Sequence, residues 1–430
     1  MTSSVAGGLR LLVAGTLMLI TTACVTYGHQ LASVDNALQQ GNVSGALQLL
    51  DALGASRRNE VLYLVNKGAI LRMQGDIEGS IAAFEAAKPL MRFQEATSIS
   101  ETLGELSVVE GSDAYQPRPF EQLHMRAMQA LNFLETGDVE SARVEALQID
   151  AFLERAFDGA APQGGDAFPL YLSGLIFEAN GEPDAALVSY RKAYRAYQRQ
   201  PGPALMPRDL GERLVYLADR LGLDSERDEY ARAFPSVSLA DVPDSRQRQL
   251  LVVVGAGLVP RRVEVSQVQQ DQLSGKIYRL SLPRLVSRTS RVAQVTAQFA
   301  GEAGIAGERV SMLEPVARAT LEDEMPGLIA RAIARNVVKN AAANQAGKES
   351  EGLELFVNFV SAVVENADVR SWSTLPGEQF LLRVPLPDDV GDVTVSLQDR
   401  FGVPLFQETF DVSSLAENRT AFRSLYWLQR

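Results

Sequence analysis

The sequence predicts two structural parts: a solenoid of paired α-helices, followed by an α+β domain. Glycine-containing corners at Gly41, Gly75, Gly137 and Gly181 separate stretches whose apolar residues follow helical spacing. After residue 245 the spacing changes to the alternation that is typical of strands. Because a single helical hairpin cannot bury its apolar side, these hairpins are expected to stack on one another.

The clearest helical pair lies between Asp166 and Tyr197. Gly181 can adopt the left-handed conformation that ends a helix, and Pro183 suits the first turn of the next helix. Tyr190, Tyr194 and Tyr197 follow helical spacing in the second helix, where aromatic side chains usually fill the core. An aromatic recognition surface is the alternative interpretation of these tyrosines.

Further pairs are predicted at 31–53, 59–90 and 120–157, and a weaker pair at 207–233 has its corner near Gly222. Residues 91–119 are predicted to form a mostly irregular insert, because turn-forming residues are frequent there. The corners at Gly41 and Gly75 are 34 residues apart, counted as 75 − 41.

These units resemble tetratricopeptide repeats, whose period is also about 34 residues. The resemblance is carried by the Gly-Asp and Gly-Glu corners and by small or large residues inside the helices, namely Gly68, Ala127, Gly174, Ala82, Phe84, Ala142, Ala146, Ala186 and Tyr190. Small residues allow close approach of helices, and large residues fill the gaps between repeats. Residues 24–238 are therefore expected to form a TPR-like domain, whose concave groove could bind a partner.

Residues 246–430 are predicted to form one α+β domain, after a linker at 239–245. Strands are expected at 249–254, 263–265, 276–282, 291–299, 379–385, 392–398 and 404–410. Helices are expected at 313–343 and 353–367, with a loose segment at 340–352.

Gly255 and Gly257 follow the first of these strands and suggest a dinucleotide-binding loop. The third glycine of that motif is missing, and Pro260 stands where a helix should begin. A turn after a buried strand is therefore the preferred interpretation.

Residues 1–23 have the order of a secretory signal peptide: Arg10, an apolar run at 11–20, and small residues before Cys24. The run is about half of the ~20 residues needed to cross a bilayer. Residues 19–24, Leu-Ile-Thr-Thr-Ala-Cys, resemble the bacterial lipobox, although the family usually has leucine at Thr21. The resemblance implies that Cys24 becomes the first mature residue and carries acyl chains such as palmitate. An ordinary signal peptide with a chance cysteine is the alternative.

Val25 follows Cys24, where an aspartate commonly signals retention of lipoproteins in the inner membrane. The resemblance therefore implies a lipid-anchored protein of the outer membrane that faces the periplasm. The net charge of −12 argues against a nucleic-acid partner. The two histidines are too few for a histidine-built metal site, and the single cysteine, Cys24, is expected to be acylated, so no thiol nucleophile is predicted.

Five side chains are predicted to contact a partner. Arg191, Lys192 and Arg195 form a basic strip on one helix, for which a solvated face is the alternative. Arg370 and Trp372 are residue types favoured at interfaces. The alternative is that Trp372 packs the sheet and Arg370 caps a helix end.

The whole chain resembles a family of uncharacterised bacterial lipoproteins with divergent tetratricopeptide hairpins and an α+β carboxy-terminal region. The segments that carry the resemblance are 168–181, 190–194, 330–335 and 368–376. The family brings no assigned chemistry, and no catalytic motif or cofactor site is present in the sequence. The predicted function is an envelope scaffold that binds another protein through the groove of its repeats. A glycan-binding protein or glycan hydrolase is the alternative, and it would need two carboxylates in a cleft of the second part.

Overall fold

The computed structural model describes residues 27–101, 114–157, 165–244, 247–270, 277–299, 304–347, 367–415 and 419–429. The predicted signal peptide and Cys24 lie outside these ranges. So do most of the predicted short helix at 353–367 and residues 102–113 of the predicted insert.

The first part consists of consecutive helix pairs, which confirms the predicted solenoid of TPR-like hairpins. The helices are α1 (Tyr27–Gln39), α2 (Val43–Leu53), α3 (Glu60–Met73), α4 (Ile77–Glu101), α5 (Pro119–Glu135), α6 (Val139–Phe157), α7 (Phe168–Ala179), α8 (Pro183–Arg199), α9 (Arg208–Arg220) and α10 (Asp224–Ala233). Glycine is required at the corners because φ is positive there, for example +77° at Gly181 and +70° at Gly222.

Close packing within each pair depends on a small residue opposite a large one, as the sequence predicts. A Cβ atom added to Gly174 would lie 2.3 Å from the ring of Tyr190, and one added to Gly68 would lie 2.7 Å from the ring of Phe84. Neither position can hold a larger residue without moving a helix.

The prediction of an irregular insert from residue 91 is wrong for its first part. Helix α4 continues to Glu101, and α5 begins only at Pro119. Met91 is 2% exposed and belongs to the core of the first repeats, so burial of this residue favours continuing the helix.

Among the residues that the structure describes, the second part contains two four-stranded sheets, a two-stranded hairpin and a long helix. The strands are β1 (Gln249–Leu258), β2 (Arg261–Gln270), β3 (Ile277–Val286), β4 (Gln294–Gln298), β5 (Ile305–Ala306), β6 (Glu308–Met312), β7 (Pro376–Pro385), β8 (Asp392–Gln398), β9 (Pro404–Asp411) and β10 (Thr420–Trp427). The first sheet has the order β10-β1-β7-β6, the second has the order β5-β4-β8-β9, and β2 pairs with β3. Helix α11 (Leu313–Gly347) packs against β3.

The first sheet is the middle layer of the molecule, and β1 is buried along its whole length. Alternate residues of a strand point to opposite faces. Leu251 and Val253 belong to the apolar core shared with the repeats, whereas Val252 and Val254 belong to the core between the two sheets. This two-sided burial explains why residues 250–254 form an uninterrupted apolar run.

Two other predictions in this part need correction. The segment Gly255–Gly257 is not a turn but lies within β1, where a Cβ at Gly255 would approach the ring of Tyr426 to 2.8 Å. The loose segment predicted from residue 340 is helical as far as Gly347. Strands β5, β6 and β10 were not predicted from the sequence. β5 and β6 are short, and the apolar residues of β10 are adjacent to one another (421–422 and 425–427), so none of the three shows the alternation that predicts a strand.

Candidate functional site

The side of the solenoid formed by the first helices of the pairs, here called the inner face, carries the first sheet. Each of these helices contributes a polar contact: Asp35 with the Ser373 hydroxyl (2.7 Å), Arg72 with the Tyr426 hydroxyl (2.6 Å), Glu121 with the Trp372 amide (2.9 Å), Glu178 with Arg383 (3.7 Å) and Asp209 with Arg383 (2.6 Å). Three of these contacts are made by strands β7 and β10 of this sheet, and the contacts of Asp35 and Glu121 are made by residues 372–373, just before β7. The groove predicted to bind a partner is therefore filled by the same chain.

Trp372 is the largest side chain in this intramolecular contact. It is 1% exposed, and its ring lies 6.0 Å from that of Phe84 in an edge-to-face arrangement. Its indole N–H donates to Thr374, and its backbone N–H donates to Glu121. The prediction that Trp372 contacts a separate partner is therefore corrected, because the groove of its own chain already buries this side chain.

Arg370 is also buried against the repeats. Its guanidinium pairs with Asp368 at 2.7 Å and donates to the side-chain oxygen of Asn59 at 3.1 Å. Tyr115 lies beneath it, with its ring centre 5.9 Å from the guanidinium carbon. Arg370 thus holds the segment before β7 on the loop before α3, and it is not presented to an external partner.

A buried network of charges joins α7, α8 and α9 to the first sheet. Arg383 of β7 donates to both carboxylate oxygens of Asp209, at 2.6 and 3.3 Å. Glu178 accepts hydrogen bonds from the Tyr190 hydroxyl at 2.6 Å and from Arg213 at 3.2 Å. The two carboxylates are thus compensated by two arginines inside the protein.

The pKa shifts in this network follow from burial and from charge. Burial alone would raise the pKa of the Asp209 carboxyl, but the charges of Arg383 and Arg213 hold it below its ordinary value. Burial alone would lower the pKa of Arg383, and the charges of Asp209 and Glu178 keep it well above its ordinary value. Burial raises the pKa of the Tyr171 hydroxyl, which donates to Asp209. Asp209, Arg383 and Tyr171 therefore keep their usual charge states at neutral pH.

The tyrosines of the clearest helix pair fill the core, as their spacing predicts. Tyr171 and Tyr190 are fully buried, and their ring centres lie 5.9 Å apart. Tyr197 is buried too, and its hydroxyl donates to the backbone carbonyl of Val310 in β6 at 2.7 Å.

The basic strip lies on α8, the second helix of its pair. Arg191 pairs with Glu226 of α10 at 2.5 Å, and Lys192 pairs with Asp150 of α6 at 2.9 Å. Arg195 is exposed to solvent. Two of the three predicted contact residues therefore also link neighbouring repeats, while their contact with a partner stays a prediction.

Beside this strip lies a group of exposed apolar side chains, here called the outer patch: Val144 and Leu147 of α6, and Val188 of α8. They are 49%, 44% and 43% exposed. Two ion pairs link these parts of the solenoid: Arg143 of α6 pairs with Glu182, just before α8, at 2.5 Å, and Lys192 of α8 pairs with Asp150 of α6 at 2.9 Å. The pairs fix α6 and α8 relative to each other, so the outer patch is held in one arrangement.

A cavity of about 270 Å³ lies where β1, β7 and the start of α11 meet. Its floor is apolar, and Glu314, Arg318 and Glu378 are among its lining residues. Burial raises the pKa of Glu378, the charge of Arg309 opposes this shift, and the charge of Glu314 adds to it. The sequence did not indicate this site. The fold brings two carboxylates to one cavity, where Glu314 pairs with Arg318 at 2.5 Å and Glu378 pairs with Arg309 at 2.8 Å.

His124, on α5, is fully buried. Its Nε2 atom is 2.9 Å from a carboxylate oxygen of Asp166, and the Ser311 hydroxyl donates to the same oxygen at 2.9 Å. The Asp166 carboxylate lies between His124 and Ser311, so the imidazole does not contact the serine hydroxyl and cannot act as its base in this arrangement.

Within the described ranges, no group of three or more histidine, cysteine, aspartate or glutamate side chains is arranged to hold a metal ion. Across the same residues, no helix combines the length and the apolar character that crossing a bilayer requires.

Comparison with protein-family models and with curated protein sequences finds no match. Among solved structures, the chain is similar to MamA from Desulfovibrio magneticus RS-1 (15% identity, 47% of this chain and 88% of that chain, TM-score 0.31). It is also similar to a tetratricopeptide repeat protein from Parabacteroides merdae (14% identity, 49% and 66%, TM-score 0.31). A third similar structure is that of Podospora anserina putative kinesin light chain TPR-like repeats (14% identity, 48% and 92%, TM-score 0.33). These likenesses concern the fold, and the fold class itself rests on the helix pairs described above.

Proposed function

We propose that the protein is a lipid-anchored scaffold of the outer membrane that faces the periplasm and binds another envelope protein through its outer patch. The lipobox-like sequence at Cys24 supports the anchor, and the repeats support a binding role. The inner face is filled by the first sheet, so the partner has to use the opposite side of the solenoid.

The outer patch is the observation that carries this proposal. Three aliphatic side chains there are more than 40% exposed on two helices that ion pairs hold in place. Exposed apolar groups with a polar rim are typical of protein-binding surfaces. Arg195 and the paired Arg191 and Lys192 lie on the same helix as Val188, so acidic residues beside an apolar segment would complement this surface.

Replacing both Leu147 and Val188 with aspartate is expected to reduce recovery of the partner from envelope extracts by about tenfold or more. The measurement is a pull-down with mass spectrometry on full-length protein. Leu49→Asp is the matched control, because Leu49 is 40% exposed on α2, away from the patch. Equal recovery by the double variant and the wild type would exclude the outer patch. Deletion of the repeats is unsuitable here, because it would expose the apolar core that they share with the first sheet.

A second candidate function is hydrolysis or binding of envelope glycan in the cavity at Glu314 and Glu378. Glu378, with its raised pKa, suits the role of general acid, and Glu314 suits that of general base. For a hydrolase, Glu378→Gln and Glu314→Gln should each lower the release of sugar from purified peptidoglycan by about 100-fold. Leu49→Asp should leave this release unchanged. Wild-type protein that neither releases sugar nor binds peptidoglycan in a sedimentation assay would exclude this function.

A further inference from the structure

The hairpin between β8 and β9 ends in an exposed apolar tip, residues 399–403. Phe401 is 75% exposed, the highest value among the large apolar side chains that the structure describes, and Val403 beside it is 51% exposed. The guanidinium carbon of Arg400 lies 4.6 Å from the centre of the Phe401 ring.

The tip is held in a defined conformation by the carboxylate of Asp399. This carboxylate accepts hydrogen bonds from the backbone N–H groups of Phe401 at 2.8 Å and of Val403 at 3.0 Å. These hydrogen bonds hold the pKa of Asp399 below its ordinary value, and the hydrogen bond from Val403 has the larger effect. Gly402 supplies the positive φ of +78° that the turn requires. The exposure of Phe401 is therefore built into a rigid turn.

Charge is distributed unevenly along this hairpin. Beside the tip stand Arg400 and the exposed Arg291, whose guanidinium is 3.6 Å from the Asp399 carboxylate. At the opposite end Asp392 and Asp411 face each other across the strand pair. Asp388 and Asp389 precede β8 at that same end and are exposed as well. The seven residues of β8 separate the two ends by roughly 20 Å.

We propose that the tip at residues 399–403 inserts Phe401 and Val403 into the surface of an anionic lipid bilayer, with Arg400 and Arg291 contacting the lipid headgroups. Aromatic and arginine side chains are favoured at this depth of a membrane. The acidic opposite end then points away from the anionic surface. A narrow protruding tip offers far less than the ~800 Å² per partner of a stable protein interface, and this favours a lipid surface.

This contact is separate from the anchor at Cys24 and does not depend on it. In an acylated chain, the tip would fix which side of the molecule lies against the membrane. In a chain without acyl groups, it would give a weak, salt-sensitive attachment.

The test places a tryptophan at the tip of the full chain. Phe401→Trp protein is mixed with vesicles of phosphatidylethanolamine and phosphatidylglycerol whose acyl chains carry bromine, which quenches tryptophan emission on contact. The emission of the wild type, from Trp372 and Trp427, is subtracted. Val188→Trp is the matched control, since Val188 is exposed on the outer patch.

Bromine-dependent loss of emission is expected from the Phe401→Trp protein and not from the Val188→Trp protein. Changing Arg400 and Arg291 to glutamate in the Phe401→Trp protein should restore most of the lost emission. The proposal is overturned if the tryptophan introduced at the tip keeps its emission, as it would when the tip enters a pocket of a protein. Equal quenching of the two introduced tryptophans also overturns it. Mass spectrometry of the same samples measures acylation of Cys24, so failure of the proposed anchor is distinguished from failure of the tip to enter the bilayer.

Discussion

The variant Arg383→Met is expected to lower the free energy of unfolding by about 3–5 kcal/mol, because it leaves buried carboxylates without their main compensating charge. Arg383 lies in β7 and pairs with Asp209 of α9 at 2.6 Å and with Glu178 of α7 at 3.7 Å. The side chain of Arg383 is only 6% exposed, so water cannot replace it. Urea denaturation followed by tryptophan emission and far-ultraviolet circular dichroism measures the effect.

The double variant Arg383→Met with Asp209→Asn is the control for this prediction. The amide of asparagine carries no charge and can still accept the hydrogen bond of the Tyr171 hydroxyl. The double variant should therefore recover part of the lost stability. A single Arg383→Met variant within about 0.5 kcal/mol of the wild type would show that the pair does not hold the two parts together.

The same variant should show a changed dependence on pH. In the wild type the pKa of Asp209 is below its ordinary value of 3.8, so its contribution is present above that pH and is lost as pH falls through the lowered pKa. Without Arg383, burial dominates and the pKa of Asp209 rises. The deficit of the variant should then shrink as pH falls, because Asp209 of the variant becomes protonated at a higher pH than Asp209 of the wild type.

The second large effect is expected at Cys24. If the proposed anchor is present, Cys24→Ala should move the protein from the membrane fraction to a soluble periplasmic form or to uncleaved precursor. Each buried methylene of an acyl chain contributes about 0.8 kcal/mol, so acyl chains dominate membrane attachment. Sucrose-gradient fractionation with metabolic palmitate labelling measures this. Folding should not change, since α1 begins only at Tyr27.

Palmitate label on the Cys24→Ala protein, or an outer-membrane fraction equal to that of the wild type, would contradict the proposed anchor. Phe401→Asp is the informative companion, because it removes the proposed bilayer contact and keeps Cys24. It should retain the label and the membrane fraction, since a single phenylalanine supplies much less apolar area than acyl chains.

The parts of the fold that local sequence determines could be predicted. The corners have positive φ at Gly41, Gly75, Gly137 and Gly181. Because only glycine adopts this conformation readily, the positions of these glycines in the sequence indicate the corners. Gly174 and Tyr190 form the close contact that their sizes suggest. The apolar run of β1 indicates burial on both faces.

The docking of the sheet on the inner face could not be predicted, because it depends on distant pairs. Asp209 and Arg383 are 174 residues apart, and nothing in either segment specifies the other. Trp372 and Arg370 show the same limit: their residue types indicate a buried contact, but only the fold reveals that it lies within the chain. The acidic pair of the cavity likewise comes from separate elements, α11 and β7.

The position of β10 has a consequence for biosynthesis. This strand follows all the repeats in the chain, pairs in parallel with β1, and places Phe422 in the core shared with the repeats. The ribosome makes the repeats first, and residues 372–383 then cover part of their inner face, but Phe422 and the contact between Arg72 and Tyr426 are missing until β10 has been made. A premature stop before β10 should therefore yield a chain with exposed apolar surface, a substrate for proteases. The core shared by the two parts of the protein thus closes only after translation has passed β10.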